Sequence, residues 1–451
     1  MTAEVAILNR LVVALAADSS IAIEAKNGLK IYESAKKIFP LSDSPSSPAN
    51  YHSVAIMVYG NANCGDVPWE LVIQLFRHHV KKLGTLDKLV DYFKVFKDYV
   101  QDESGLITQE MSSTMIQRYS KEYLQKMSTE VKKSVKDLLE KNEEVTDDSI
   151  TQIFCTIINN KHDRLMNDVK KIEHFTDEDM QWVCSIINNQ FNNLAKGLEA
   201  LLAILDRESI DKLKEILCMI HVKDEMIKSQ RAGIVFAGFG KEDKFPVLIA
   251  AEVEYPVHNK VKYRVTEYVD LNIKPSPTPS GDVNEVSAKI IPFAQSRHEV
   301  HAFLHGLDLS LQEDLKGYLD GAAEGVIDKI SAKLRFVHKD VIPNPDHREK
   351  ITTYIDQMLH EMIEKALFNL NEMSKDKFSD RILEVVNFMP REEVAELASF
   401  LVKMAKTSNK LRGHETIRGP VDIVVITKAD GLKKHTGKSG GCSCSINFNH
   451  G

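Results

Sequence analysis

The chain of 451 residues carries 58 Lys and Arg against 65 Asp and Glu, a formal net charge of −7, and 43% of its residues are hydrophobic. That much apolar side chain can bury a large core, which excludes a wholly disordered or low-complexity chain. The mild acidity argues against a general nucleic-acid binder, because such a protein needs a basic face against the phosphates. The length allows about two or three domains, or one domain with large insertions.

The first 80 residues predict tightly turned β structure, followed by a helix that starts at Pro68 and a helical block over residues 85–230. The strands are expected at residues 3–8, 11–17, 36–41 and 53–58. Within the helical block, Thr176 and the three acidic residues after it form a variant capping box.

Strand character returns after the helical block and is followed by a second helical stretch over residues 297–411. The later strands are expected at residues 232–237, 247–255, 261–269, 288–293 and 421–427. A single strand at 421–427 cannot stand alone, so the strands must combine into sheets across the helical segments.

The N-terminal stretch and the cysteines bear on the compartment. Arg10 and the apolar residues 11–17 resemble a signal peptide, but Glu4 occupies a position where a signal peptide carries positive charge. A β-hairpin that turns at Asn9 and Arg10 explains the same stretch equally well. Most of the six cysteines are scattered singly, which is typical of a reducing compartment. No apolar run reaches the roughly 20 residues of a membrane-spanning helix. We therefore expect a cytoplasmic protein without a membrane segment.

Thr2 is the first candidate for chemistry. Removal of Met1 would leave Thr2 with a free α-amine, whose unperturbed pKa of about 8 suits a base for the hydroxyl on the same residue. Many chains begin with Met and Thr, so the pair alone means little. Three neighbouring patterns add weight: Asp18 with Ser19 at the end of the second strand, Lys37 at the opening of the next, and Gly60 at the end of a strand before a helix.

This set resembles the N-terminal-nucleophile (Ntn) hydrolases of the proteasome β-subunit type, as an insertion-containing bacterial-type member. In that family the mature chain begins with Thr in a strand, a second strand ends in Ala-Asp-Ser, and a Lys opens another. The 16-residue spacing from Thr2 to Asp18 fits, and Lys37 lies slightly later than usual, consistent with a small insertion around residues 24–32. The resemblance implies an α+β fold, an αββα sandwich of antiparallel sheets with two large helical insertions.

The resemblance also implies roles for individual residues. Thr2 would be the nucleophile and its amine the base, Lys37 the cation that favours the ionised nucleophile, and Asp18 the group that orients Lys37. The N–H of Gly60 would donate to the oxyanion. Ser296, Glu415 and Arg418 match supporting positions of the family in location but not in identity.

The expected organisation is one interrupted core with helical additions. The parts are residues 1–84 and 231–296 for the core, 85–230 and 297–412 for the helical segments, 413–432 for the last core strand, and 433–451 for a flexible tail. The preferred function is a threonine-type amidohydrolase or peptidase acting on a peptide or small amide, with no cofactor, no nucleic acid, and a homo-oligomer as one option. The alternative is a vestigial Ntn-fold scaffold or protein-sensing module whose helical segments and tail bind partners.

Two weaker patterns remain. The side chains of His298, His301 and His305 share one face of a predicted helix at a spacing that could ligate zinc, although a solvated or half-buried histidine face is the commoner reason for such spacing. Cys442 and Cys444 follow two glycines on the tail and are candidates for oxidation, soft-metal binding or modification.

Overall fold

The computed structural model describes residues 2–25, 28–42, 53–103, 105–140, 145–226, 231–272, 287–337, 345–413 and 417–435. The chain divides into two compact units. The first unit comprises residues 1–35, 273–426 and 433–451, and the second comprises residues 36–272 and 427–432.

The strands combine into two five-stranded sheets and two short hairpins. Their bounds are β1 Ala3–Asn9, β2 Val12–Asp18, β3 Ile21–Ala25, β4 Gly28–Tyr32, β5 Ile38–Pro40, β6 Val54–Gly60, β7 Asn63–Cys64, β8 Val67–Pro68, β9 Ala232–Gly238, β10 Val247–Val257, β11 Lys260–Asp270, β12 Ala288–Ala294, β13 Val421–Thr427 and β14 Gly431–Lys434. One sheet has the order β12-β1-β2-β13-β14 and the other β11-β10-β9-β6-β5, while β3 pairs with β4 and β7 with β8.

The helices fall in the two stretches where the sequence predicts them. Their bounds are α1 Trp69–Leu83, α2 Leu89–Asp98, α3 Gln109–Glu140, α4 Asp147–Asn167, α5 Asp177–Leu194, α6 Glu199–Ala203, α7 Arg207–Val222, α8 Ser296–His305, α9 Leu309–Val337, α10 Pro345–Ser374, α11 Asp380–Phe388 and α12 Arg391–Leu411. Single π-helical segments follow α2 at Tyr99–Glu103 and α10 at Lys375–Ser379. The expectation of a mixed α+β protein with antiparallel strands is confirmed, and no helix among the described residues is both long and apolar enough to cross a bilayer.

In the first unit, β1 and β2 form an antiparallel hairpin in which every residue of the two strands is buried. Asn9 closes the turn, because its side-chain oxygen accepts the N–H groups of Leu11 at 2.9 Å and Val12 at 3.1 Å. Its side-chain nitrogen donates to the carbonyls of Val386 and Met389 at 2.9 and 3.0 Å. The N-terminal stretch therefore forms the hairpin that the sequence allowed, and one buried amide ties it to the end of α11.

The core of the first unit lies between this hairpin and α12. Val394, Leu401, Val402 and Ala405 of α12 are fully buried and belong to one apolar cluster with β1, β2 and α8. Pro390 precedes the helix and acidic residues occupy its first turn, as expected for a helix start. The apolar periodicity of α12 thus covers one face of the hairpin.

In the second unit, aromatic rings of α1 and α2 cover the sheet. Phe76 and Phe96 meet edge-to-face with centroids 5.0 Å apart, and Phe93 meets Phe236 of β9 in the same way at 5.7 Å. Such contacts add about 0.5–1.5 kcal/mol beyond the area buried. Helices α3, α4, α5 and α7 form a separate apolar cluster that also includes Tyr255 and Val257, at the far end of β10.

Asp179 connects this helical cluster to the hairpin of β10 and β11. Its carboxylate accepts hydrogen bonds from Lys260 Nζ at 2.7 Å and His258 Nδ1 at 2.9 Å, and also caps α5 through Thr176, whose N–H lies 2.7 Å away. Burial alone would raise the pKa of Asp179, but the hydrogen bonds from Lys260, Thr176 and His258 outweigh it and hold that pKa well below its ordinary value. The capping box predicted at Thr176 is confirmed and does more than cap the helix.

Lys262 and His221 are also completely buried in the second unit. Lys262 Nζ contacts Glu254 Oε2 at 2.9 Å and donates to the carbonyls of Ile220 and Glu225. The His221 ring bonds to the Ser120 hydroxyl at 2.9 Å and the Tyr255 hydroxyl at 2.6 Å. Burial, followed by the charge of Lys262, lowers the pKa of His221 to about 3, so the imidazole is neutral at physiological pH.

Replacing Asp179 with Ala should lower the free energy of unfolding by about 2–3 kcal/mol, because the change removes a charged group that accepts hydrogen bonds from Lys260, His258 and Thr176. Asp177→Ala is the matched control. Asp177 lies two residues earlier on the same helix and pairs with Lys171 in solvent, so its loss should leave stability nearly unchanged. Urea denaturation of both variants tests this, and equal effects would contradict the role given to Asp179.

The buried His221 should also make stability depend on pH. The unfolded chain protonates this residue below a pKa of about 6.5, whereas the folded chain resists protonation until about pH 3. Stability linked to His221 is therefore complete above pH 7 and lost as the pH falls, by about 2 kcal/mol at pH 5. Comparing denaturation of the wild type and His221→Gln at pH 7.5 and pH 5 measures this loss; a difference that stays constant with pH would refute it.

Candidate functional site

The first unit holds Thr2 directly before β1, an inner strand of its sheet. The side chain of Thr2 is only 6% exposed, and its carbonyl accepts the N–H of Gln295 at 3.1 Å. Ala3 pairs with Ala294 of β12, and Glu4 pairs with Ala17 of β2. The backbone at Thr2 is therefore held from both neighbouring strands.

Asp18 ends β2 and fixes the residue that follows Thr2. Its Oδ1 accepts the N–H of Ala3 at 2.8 Å, and its Oδ2 accepts the N–H of Ser20 at 3.1 Å and the Ser20 hydroxyl. The Ser20 hydroxyl oxygen in turn accepts the N–H of Arg418 at 3.1 Å. Asp18 is 1% exposed, so a buried carboxylate joins the beginning of β1 to the segment before β13.

Ser296 contributes a third connection at the start of α8. Its buried hydroxyl lies 2.6 Å from the carbonyl oxygens of both Glu4 and Phe293, and its single O–H is shared between them. Ala294, two residues earlier, has a φ of 50°, a left-handed conformation that residues with a side chain rarely adopt. The chain therefore turns sharply from β12 into α8 beside the second residue of β1.

The segment before β13 packs closely against Ser19. The Ser19 N–H donates to the Pro420 carbonyl at 3.1 Å, and its hydroxyl lies within 3.0 Å of the carbonyls of Glu33 and Pro420. Gly419 has a φ of 75°, and a Cβ added there would lie 2.5 Å from Ser19 Oγ and 2.8 Å from the Glu33 carbonyl oxygen. Glycine is required at 419 for both its conformation and its lack of a side chain.

Lys37 and Gly60 belong to the second unit. Lys37 is 5% exposed and precedes β5, and its carbonyl accepts the N–H of Val58 in β6 at 2.9 Å. Gly60 ends β6 with a φ of 79°, where a Cβ would lie 2.5 Å from the Arg231 carbonyl oxygen. These contacts give both residues a fixed place in their own unit, and their approach to Thr2 stays a prediction.

The other candidates divide into described residues and those outside the description. Glu415, Cys442 and Cys444 lie outside the described residues. His301 and His305 stack at 4.3 Å on α8, and burial, followed by the charge of His301, lowers the pKa of His305. Within the described ranges, no three or more His, Cys, Asp or Glu side chains are arranged to hold a metal ion.

The sequence patterns did not predict the hydrogen bonds of Ser20 or the close packing at Gly419. The signal for Ser20 was local, since a Ser two residues after a strand-ending Asp commonly bonds to that carboxylate. Gly419 carried the weaker signal of a Gly-Pro pair before a strand. Its partner Ser19 lies about 400 residues earlier, beyond the reach of any local pattern.

Comparison with known proteins gives no match to any family model and none to any curated protein. A functional proposal therefore depends on the geometry of the residues themselves, above all that of Thr2, Asp18 and Ser20.

Replacing Gly419 with Ala should destabilise the first unit by about 3 kcal/mol, since the change adds left-handed strain and forces Ser19 or the Glu33 backbone to move. Gly413→Ala is the matched control. Gly413 has a φ of 79°, but a Cβ added there would meet open space, so only the strain of about 1 kcal/mol is expected. Thermal unfolding of the two variants measures the difference, and equal losses would show that the packing against Ser19 is unimportant.

Proposed function

We propose that the chain is a threonine-type N-terminal-nucleophile hydrolase that cleaves an amide bond in a peptide or small amide. The observation that carries the proposal is the placement of Thr2. It is buried immediately before an inner strand, and the next N–H is held by Asp18 at 2.8 Å. A nucleophile whose backbone is fixed in this way keeps its attack geometry without further ordering.

The chemistry follows from the two functional groups of one residue. After Met1 is removed, the α-amine takes the proton of the Thr2 hydroxyl as Oγ attacks the amide carbonyl. The carbon–nitrogen bond then breaks, the amine product leaves with that proton, and an ester links the acyl group to Thr2. Water, deprotonated by the same amine, attacks the ester and releases the carboxylic acid, which restores the hydroxyl of Thr2.

The supporting roles come from the family resemblance and from the contacts of the first unit. Asp18 acts as a positioning residue through the N–H of Ala3, and Ser296 anchors the backbone of Glu4. The resemblance assigns Lys37 as the cation that favours the ionised hydroxyl and the N–H of Gly60 as the oxyanion donor. Both assignments belong to the proposal.

The αββα arrangement and the cytoplasmic location belong to the same proposal. Its support at the level of the fold is that each unit has a five-stranded sheet with helices packed on it. The rival proposal is a non-catalytic scaffold of the same fold that uses its helical segments to bind partners. Arg418 favours the rival, because the family has a small hydroxyl residue at that position.

Purified wild-type protein should lack Met1 by intact mass, and an electrophile that reacts with N-terminal Thr, such as a β-lactone, should add once per chain. Thr2→Ala should abolish the adduct, whereas Thr2→Ser should retain it, because Ser supplies the same hydroxyl and amine. Retention of Met1, or no adduct on a chain that lacks it, would reject the hydrolase and favour the scaffold.

The same labelling reaction tests Lys37 against its neighbour Lys36. Removing one group that stabilises developing negative charge, such as an oxyanion-hole donor, costs about a hundredfold or more in rate, and we expect Lys37→Met to slow labelling by about a hundredfold. Lys36 is exposed and its ammonium lies over the Phe39 ring, so Lys36→Met should leave the rate unchanged. Similar rates for both variants would remove Lys37 from the mechanism.

A further inference from the structure

Helices α9 and α10 form an antiparallel hairpin in the first unit, and few of their described side chains are buried. The pairing is held by Lys316 and Glu364 at 2.6 Å and by Gln312 and Asn371 at 3.3 Å. Of the side chains described in α9, Ala323 alone is buried. Two helices of 29 and 30 residues normally need a further layer to cover their apolar side chains.

The uncovered apolar side chains are concentrated on one side of this hairpin. They include Leu311, Tyr318 and Val326 of α9 and Tyr354, Met358 and Met362 of α10, with exposures from 44% to 76%. At 3.6 residues per turn, each set is rotated by about 100° around its helix axis from the half-buried face that contacts the other helix. In antiparallel helices this rotation brings both sets to the same side, so the hairpin presents one continuous apolar face.

A row of glycines on α9 adjoins this face. Gly317, Gly321 and Gly325 recur every fourth residue, and a Cβ added to any of them would meet nothing within 4 Å. Each glycine costs an isolated helix stability relative to alanine, so three in one row are unfavourable for the hairpin alone. They do, however, allow another helix to approach closely.

The charge of the hairpin identifies the occupant. By sequence, the half nearest the body of the unit, residues 309–324 and 356–374, has a net charge of −6. The described side chains nearer the tip, in residues 325–333 and 350–355, have a net charge of +2. A second hairpin laid antiparallel on the first places each basic tip over an acidic base, which makes the surface complementary to itself.

We propose that the apolar face of the α9–α10 hairpin binds the same face of a second copy of this chain, with the two tips pointing in opposite directions. The contact is isologous and forms a four-helix bundle from two hairpins. The glycine row allows the close approach, and the bodies of the two copies lie at opposite ends of the bundle.

Sedimentation equilibrium of the full chain at micromolar concentration tests the contact. The wild type should be dimeric, and the double variant Met358→Glu with Met362→Glu should raise the dissociation constant by at least about tenfold. Both positions are exposed, so circular dichroism and the melting temperature should change little. Phe388→Glu is the control, because Phe388 is 81% exposed on α11 outside the hairpin and its substitution should leave the dimer intact.

Charge reversal tests the antiparallel orientation. Asp314→Lys with Glu361→Lys, and separately Lys329→Glu with Lys350→Glu, should each weaken the dimer, whereas an equimolar mixture of the two variants should associate again. A monomeric wild type, or a dimer that survives the Met358 and Met362 changes, would overturn the proposal. Failure of the mixture to associate would overturn the antiparallel pairing of the copies.

Discussion

The carboxylate of Asp18 is the contact on which the proposed site depends most. One oxygen fixes the N–H of Ala3, and the other fixes Ser20, whose hydroxyl receives the backbone of Arg418. The start of β1, the end of β2 and a segment about 400 residues later in the chain therefore meet around a single buried group. Because that group accepts several hydrogen bonds from buried neighbours, the backbone next to Thr2 is held in one arrangement.

Asp179 is the corresponding buried carboxylate of the second unit, where it connects a helix to a β-hairpin. Its hydrogen bonds from Lys260, His258 and Thr176 join a helix start to the turn of a long hairpin. The α3–α7 helices thus share a polar attachment with the sheet as well as an apolar one. Where Asp18 arranges backbone around a candidate nucleophile, Asp179 gives a large helical cluster a defined position on β10 and β11.

Strong local patterns were enough to predict most elements from the sequence. Three patterns each predict an element from a few neighbouring residues. They are the apolar runs of β1 and β2, Pro68 at the start of α1, and the acidic turn after Thr176. The hairpin of β3 and β4 was missed, because its strands are short and mix apolar with charged side chains. At the site, the spacing of Thr2 and Asp18 could be recognised in the sequence. The contact of Gly419 with Ser19 could not, because it forms only when the fold brings together residues about 400 positions apart.

The order of strands in the first sheet has a consequence for synthesis on the ribosome. The hairpin of β1 and β2 emerges first, but its neighbours on either side are β12 and β13. At roughly 5–20 residues per second, β12 follows after about 15–60 s and β13 after about 20–80 s. Throughout that interval, two strands that are wholly buried in the folded protein have unpaired edges. Unpaired strand edges are a condition under which nascent chains aggregate or recruit chaperones. The strand order therefore leaves both edges of the first hairpin unpaired until nearly all the rest of the chain has been made.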